Sequence, residues 1–152
     1  MSSTITVGER ICELSLQITS VTDFGVSMES LLSGQSTPPP EGARLDVAVG
    51  GTVTGPRLNG TGGAVDYINV RADGRFQLHI HGVITTDDGE KISLFADGTA
   101  MPAEGTSSLQ LRENVSLTTA SPAYSWVNHL HIWALGTADV AKGTVNLTYY
   151  AA

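Results

Sequence analysis

Asp73-Gly74-Arg75-Phe76-Gln77-Leu78-His79-Ile80-His81-Gly82-Val83-Ile84 decides how this chain is read. Alternation sets Phe76, Leu78 and Ile80 on one face, and Arg75, Gln77, His79, His81 and Val83 on the other. That is the period of a half-buried β-strand. Asp73-Gly74 predicts a two-residue type I′ hairpin loop linking this strand to a short one over Val65–Val70. Asp88-Gly89 predicts a second hairpin, leading into Lys91–Phe95.

The same alternation runs through Cys12-Glu13-Leu14-Ser15-Leu16-Gln17-Ile18 and marks strands at Arg44–Val53, Leu109–Leu117, Ser125–Leu135 and Gly143–Tyr149. No long window carries the 3.6-residue period of a helix. Glu29–Thr37, ahead of Pro38-Pro39-Pro40, reads as a short helical turn or a mobile flap, because three prolines cannot sit inside a sheet. Gly55-Pro56, Asn59-Gly60 and the glycine-rich Thr61-Gly62-Gly63-Ala64 read as turns, and Met101–Ser108 as a connecting loop. Many short strands at this turn spacing mean a sandwich or a closed barrel. Strands with mixed rather than solvent-like faces favour the barrel. The expectation is an all-β chain, a single antiparallel β-barrel of about eight to ten strands with a central cavity, one domain over residues 1–152.

Composition excludes several roles. The 152 residues carry eight basic and fifteen acidic side chains, for a net charge of −7. That balance argues against nucleic acid and anionic membranes as partners. One cysteine, Cys12, allows no intrachain disulfide and no zinc-finger spacing. The N-terminal segment does not read as a signal peptide, and no run approaches a membrane span, so a cytoplasmic location is expected.

Four histidines stand in two pairs, His79 with His81 and His129 with His131, each pair two residues apart on an expected strand. Exposed side chains, a pocket pair and metal ligands are all open readings for them. Proton transfer is the leading one, since imidazole titrates near neutrality and a neighbouring carboxylate fixes its tautomer. Asp46, Asp66 and Asp97 are the candidate partners, with Asp66 and Asp97 carried forward, whereas Asp73 and Asp88 read as turn caps. Tyr124, Trp126 and Asn128 share one face of the strand expected over Ser125–Leu135. They form a possible stacking wall with a polar anchor. Arg57 is a candidate anion or carboxylate contact, or a salt bridge holding its loop.

Gly51-Thr52-Val53-Thr54-Gly55-Pro56-Arg57-Leu58-Asn59-Gly60-Thr61, Gly62-Gly63-Ala64-Val65-Asp66 and Arg71-Ala72-Asp73-Gly74-Arg75, then Thr86-Asp87-Asp88-Gly89 and Tyr124-Ser125-Trp126-Val127-Asn128, follow in an order that resembles the DUF3237 family, the UPF0311-like small proteins. The resemblance covers nearly the whole chain. It implies a small antiparallel barrel, often oligomeric, with a polar-lined central cavity and an unsettled biochemical role. It maps family positions onto Arg57, Asn59, Asp66, Trp126 and Asn128. His79 and His81 depart from the Asp and Arg of the family's central strand, and His129 departs from its Arg.

These readings converge on a cofactor-independent lyase, isomerase or cyclase with no metal. It would use His79, His81, Asp66 and Asp97 for acid–base chemistry on a small, mostly apolar or aromatic molecule held by Arg57, Tyr124, Trp126 and Asn128. A non-catalytic small-molecule carrier is the alternative, and a barrel packed solid as a structural subunit is a third reading. A homo-oligomer, with a dimer favoured, is expected on general grounds.

Overall fold

A computed structural model describes residues 3–4, 6–103 and 106–152. Eight strands run in chain order: β1 (Arg10–Asp23), β2 (Ala43–Thr54), β3 (Gly60–Val70), β4 (Phe76–Thr86), β5 (Lys91–Pro102), β6 (Ser108–Thr118), β7 (Ile132–Asp139) and β8 (Thr144–Ala151). Each pairs antiparallel with its neighbours in sequence, and β8 returns to β1, closing the barrel. Closure gives every strand a neighbour on both sides along most of its length.

Alternation decides the two faces. Leu14, Leu16, Leu45, Ile68, Leu78, Ile84, Ile92, Leu94, Leu111 and Leu147 all point to the interior and are buried. The residues between them, such as Gln17, Gln77, Lys91, Gln110 and Asn146, are exposed. Every strand therefore contributes its apolar side to one shared core, and burial of these side chains is what drives closure.

Both Asp-Gly hairpins form, with different turn chemistry from that expected. Gly74 and Gly89 have φ near +90°, but among the described residues no other residue type has positive φ, so Asp73 and Asp88 keep negative φ. The turns are therefore not type I′, which needs positive φ at both central residues. They are three-residue loops closed by a left-handed glycine, with Arg71 N–H bonded to Arg75 O and Thr86 N–H to Glu90 O (2.9 Å each).

Several boundaries move. The strand expected over Ser125–Leu135 is instead a 3₁₀ helix, Pro122–His129, followed by β7. Pro122 suits a helix start, and Asn128 bonds locally to Thr119. Gly50, Gly51, Gly62 and Gly63 face one another inside the β2–β3 ladder and do not form a turn. Asp97 lies mid-strand. Of the expected Met101–Ser108 loop, Met101 and Pro102 extend β5 and Ser108 begins β6, while Glu104 and Gly105 lie outside the described residues. The Glu29–Thr37 stretch contains one short helix, α1 (Met28–Ser33), capped by the Ser27 side chain at its start and by left-handed Gly34 at its end. No helix among the described residues is long and apolar enough to cross a membrane.

Candidate functional site

Register aligns the groups that matter. On the face away from the core, His79 of β4, Asp97 of β5, Asn114 of β6 and Trp133 of β7 follow one another across four strands. Two residues along, Arg44, Asn69, Gln77, Thr99, Arg112 and Leu135 form a parallel row. Cross-strand partners in such rows stand about 5 Å apart and interact directly. Both rows line a groove of about 1070 Å³, which also takes in Arg75 and Val7.

Gly98 lies at the floor of this groove, in register with Leu78 and Glu113. A Cβ placed there would meet the Arg112 carbonyl oxygen at 2.0 Å and the Glu113 Cα at 2.8 Å, with φ at +156°. Only glycine lets β5 and β6 approach so closely.

The histidine pair is in contact. His79 Nε2 lies 3.0 Å from His81 Nε2, with ring centroids 4.9 Å apart. Phe95, the register partner of His81, packs its ring edge to both imidazoles, at 5.4 and 5.3 Å. One imidazole must donate and the other accept, so the pair holds a single shared proton in its hydrogen bond. His79 lines the groove. His81 is exposed one position further along the same face. Asp97 is the cross-strand partner of His79, and its carboxylate accepts from the Asn114 side-chain amide at 3.2 Å.

Asp66 takes a different place. Its register partners, Val47 and Ile80, put it on the core side of the wall. Its carboxylate accepts from the backbone N–H of His79 at 3.0 Å, where the β3–β4 ladder opens between the Asp66–Ile80 and Asn69–Gln77 pairs. It braces the strand that carries His79 and does not touch the imidazole. Burial pushes its pKa up to about 7.

Glu113 was not among the residues singled out from the sequence, although a signal was present. It falls on the apolar side of Leu109-Gln110-Leu111-Arg112-Glu113-Asn114-Val115, where a carboxylate breaks the alternation. It is buried, and its Oε1 has no hydrogen-bond partner among the described residues. Burial, followed by the charge of Asp66, pushes its pKa up to about 8. Tyr149 is buried in the same register row, with Ala134 between, and lies beside Cys12. Burial raises the Tyr149 hydroxyl, and the charges of Glu113 and Cys12 raise it further. Burial also pushes the Cys12 thiol up to about 12, which leaves no reactive thiolate near neutrality.

The four expected substrate contacts gather elsewhere. The β2–β3, β4–β5 and β6–β7 connections share one end of the barrel, and there the 3₁₀ helix packs. Arg57 lies over the Trp126 ring, 3.9 Å from its centroid, and reaches Glu9 at 3.8 Å. Tyr124 donates its hydroxyl to Asp88 at 2.7 Å. Asn128 both accepts from Thr119 N–H and donates to Thr119 O, at 2.8 Å each. His79 is seven residues from the end of β4 at Thr86, roughly 20 Å along a strand. Arg57, Tyr124, Trp126 and Asn128 therefore do not converge with His79 in the groove. His129 ends the 3₁₀ helix and His131 precedes β7, while the sheet neighbours of β4 are β3 and β5, so the two histidine pairs do not meet. Among the described residues, no three His, Cys, Asp or Glu side chains come together as a metal-holding group.

An eight-stranded closed barrel with a polar groove over one wall is the class of protein that fold and site define. Residues 17–152 match the model of a family described as "Protein of unknown function (DUF3237)", and the chain belongs to that family. Among solved structures it is similar to a protein of unknown function from Clostridium acetobutylicum, with a TM-score of 0.77, 20% identity, and coverage of 94% of this chain and 96% of that one. A β-barrel-like protein from Acinetobacter baumannii gives a TM-score of 0.73 at 22% identity, over 99% and 98% of the two chains. A structure described as an enzyme from Penicillium herquei gives 0.60 at 20% identity, over 99% of each chain. No curated protein matches the chain.

Proposed function

We propose that this protein is an acid–base enzyme, a lyase, isomerase or cyclase, that moves a proton on a small organic molecule bound in the groove. The observation that carries the reading is the Nε2–Nε2 contact of His79 and His81 at 3.0 Å, with His79 on the groove and His81 exposed beside it. His79 takes or gives the substrate proton, and His81 passes it to and from water. Asp97 is the cross-strand neighbour of His79, and Asn114 holds its carboxylate from the next strand. The apolar ring of Trp133 covers carbon skeleton in the same row. Proton abstraction, elimination and ring closure by this route need no cofactor, since positioning and fixed dipoles supply the rate. The structure described as an enzyme supports the same reading by analogy of fold.

The test is hydrogen–deuterium exchange at carbon. A panel of small ketones and unsaturated acids is incubated with protein in D₂O and read by NMR. The wild type should catalyse exchange in at least one member. His79→Gln should lower that rate by about 10²–10⁴-fold, the usual contribution of a general acid or base. Groove binding by the panel with no exchange would make the barrel a carrier.

A further inference from the structure

The chain has six arginines, and the fold sorts them into two sets of three. Arg10, Arg57 and Arg71 each sit within 4 Å of a carboxylate, those of Glu13, Glu9 and Asp73. Arg44, Arg75 and Arg112 all line the groove, and among the described residues none of them pairs with a carboxylate. One Arg112 nitrogen donates to the Leu111 carbonyl at 2.8 Å, which leaves its other donors free. On a chain of net charge −7, three guanidiniums without carboxylate partners line one groove against two carboxyl groups, Asp97 and Glu113, so cations outnumber acids there.

Their spacing is set by the sheet. Arg44 and Arg112 stand at the two ends of the Arg44–Asn69–Gln77–Thr99–Arg112 run, four strand spacings or about 19 Å apart, and Arg75 precedes Gln77 by two residues on the same face, between them. The neutral polar groups between them, from Asn69, Gln77 and Thr99, add donors without adding negative charge. Of the two carboxyl groups lining the groove, Asp97 stands in the neighbouring row and is engaged by Asn114, and Glu113 is buried at its floor.

From this arrangement we infer that the groove binds a small organic anion whose carboxylate or phosphate oxygens are held by Arg75 and Arg112, two strands apart on one side of the groove, with Arg44 adding positive charge at the far side. Guanidinium forks match both groups in geometry and charge. The inference names the substrate class for the acid–base reading above and uses the same groove. It also sets a length. Gln77 to His79 is two residues along one strand, so the anionic group lies about 6–7 Å from the atom that His79 reaches. The substrate is then an acid with its reacting centre several bonds from the charge.

Three probes test this by NMR titration of labelled protein: 3-phenylpropanoate, its uncharged amide 3-phenylpropanamide, and phenyl phosphate. A charged probe should shift the amide signals of Gln77, Thr99 and Arg112, and the neutral amide should bind about tenfold more weakly or worse, as expected for charge-assisted hydrogen bonds. Arg112→Gln and Arg75→Gln should each bring a similar loss, while Lys142→Gln, an equal change of net charge outside the groove, should bring none. Tighter binding of phenyl phosphate with the same arginine dependence assigns a phosphate, and the reverse order assigns a carboxylate. Equal affinity for acid and amide, wild-type affinity in both arginine variants, or shifts confined to the 3₁₀ helix would overturn the inference. His79→Gln should retain the anion. If it binds the probe and the exchange rate is also unchanged, the acid–base reading fails while the anion site stands.

Discussion

The Asp66 carboxylate accepts the backbone N–H of His79 at 3.0 Å across β3 and β4, while the His79 imidazole lies on the opposite face of the wall against His81. One residue of β4 thus links two environments. Its ring belongs to the groove and its backbone is braced from the core side by a partly buried acid. Asp66 is in this sense a positioning residue, and Asp97 is the acid on the side of the ring.

Asp66 and Glu113 make stability depend on pH in a defined direction. Burial raises both, from 3.8 to about 7 and from 4.5 to about 8, so the folded state holds protons that the unfolded chain has released. Their stabilising contribution is complete below about pH 4 and is lost as pH rises through about 7 to 8. Glu113→Gln should remove much of that slope and be more stable than wild type at pH 8.5, by about 1–3 kcal/mol. Urea unfolding at pH 5.5 and pH 8.5 checks this. An unchanged slope in the variant would show that Glu113 ionises freely in the fold.

Gly98→Ala should destabilise the barrel, because the added methyl meets Arg112 O and Glu113 Cα on the adjacent strand. Backbone cannot yield as a side-chain tip does, so a loss of about 2–4 kcal/mol is expected. Gly74→Ala, open to solvent at its hairpin, should lose less, from φ strain alone. Thermal unfolding of the two variants side by side gives the order.

Asn128→Ala should lower stability by about 1–2 kcal/mol, since it removes both hydrogen bonds that fasten the 3₁₀ helix to the end of β6. Anion binding in the groove should be unaffected. A variant of wild-type stability with impaired binding would return Asn128 to the substrate.

His79 and His81 should show opposite neutral tautomers, one protonated at Nε2 and the other at Nδ1, because a contact between two Nε2 atoms needs one donor and one acceptor. Long-range ¹H–¹⁵N spectra of the imidazoles at pH 8 read this directly.

Local pattern carried much of the fold. Alternation in Phe76–Ile84 and Leu109–Leu117 named the buried face, and the Asp-Gly pairs named both hairpins, because strand period and turn chemistry act over a few residues. Pro122–His129 shows where that logic fails. Its apolar spacing suits a strand as well as a short helix, and only packing against the end of β6 selects the helix.

The candidate site was legible in part. His79, His81 and Asp97 do meet on one wall, since residues two apart on a strand share a face whatever the topology. Arg57, Tyr124, Trp126 and Asn128 could not be placed from their own segments, because their end of the barrel is defined by which connections lie together. The sequence by itself determined the barrel's two faces and the apolar content of its interior. Only the tertiary structure decided that Arg44, Arg75 and Arg112 share one groove with His79, that Glu113 is buried at the groove floor, and that Asp66 touches a backbone instead of a ring. Those facts depend on register across strands far apart in the chain, and register follows from packing the whole closed sheet.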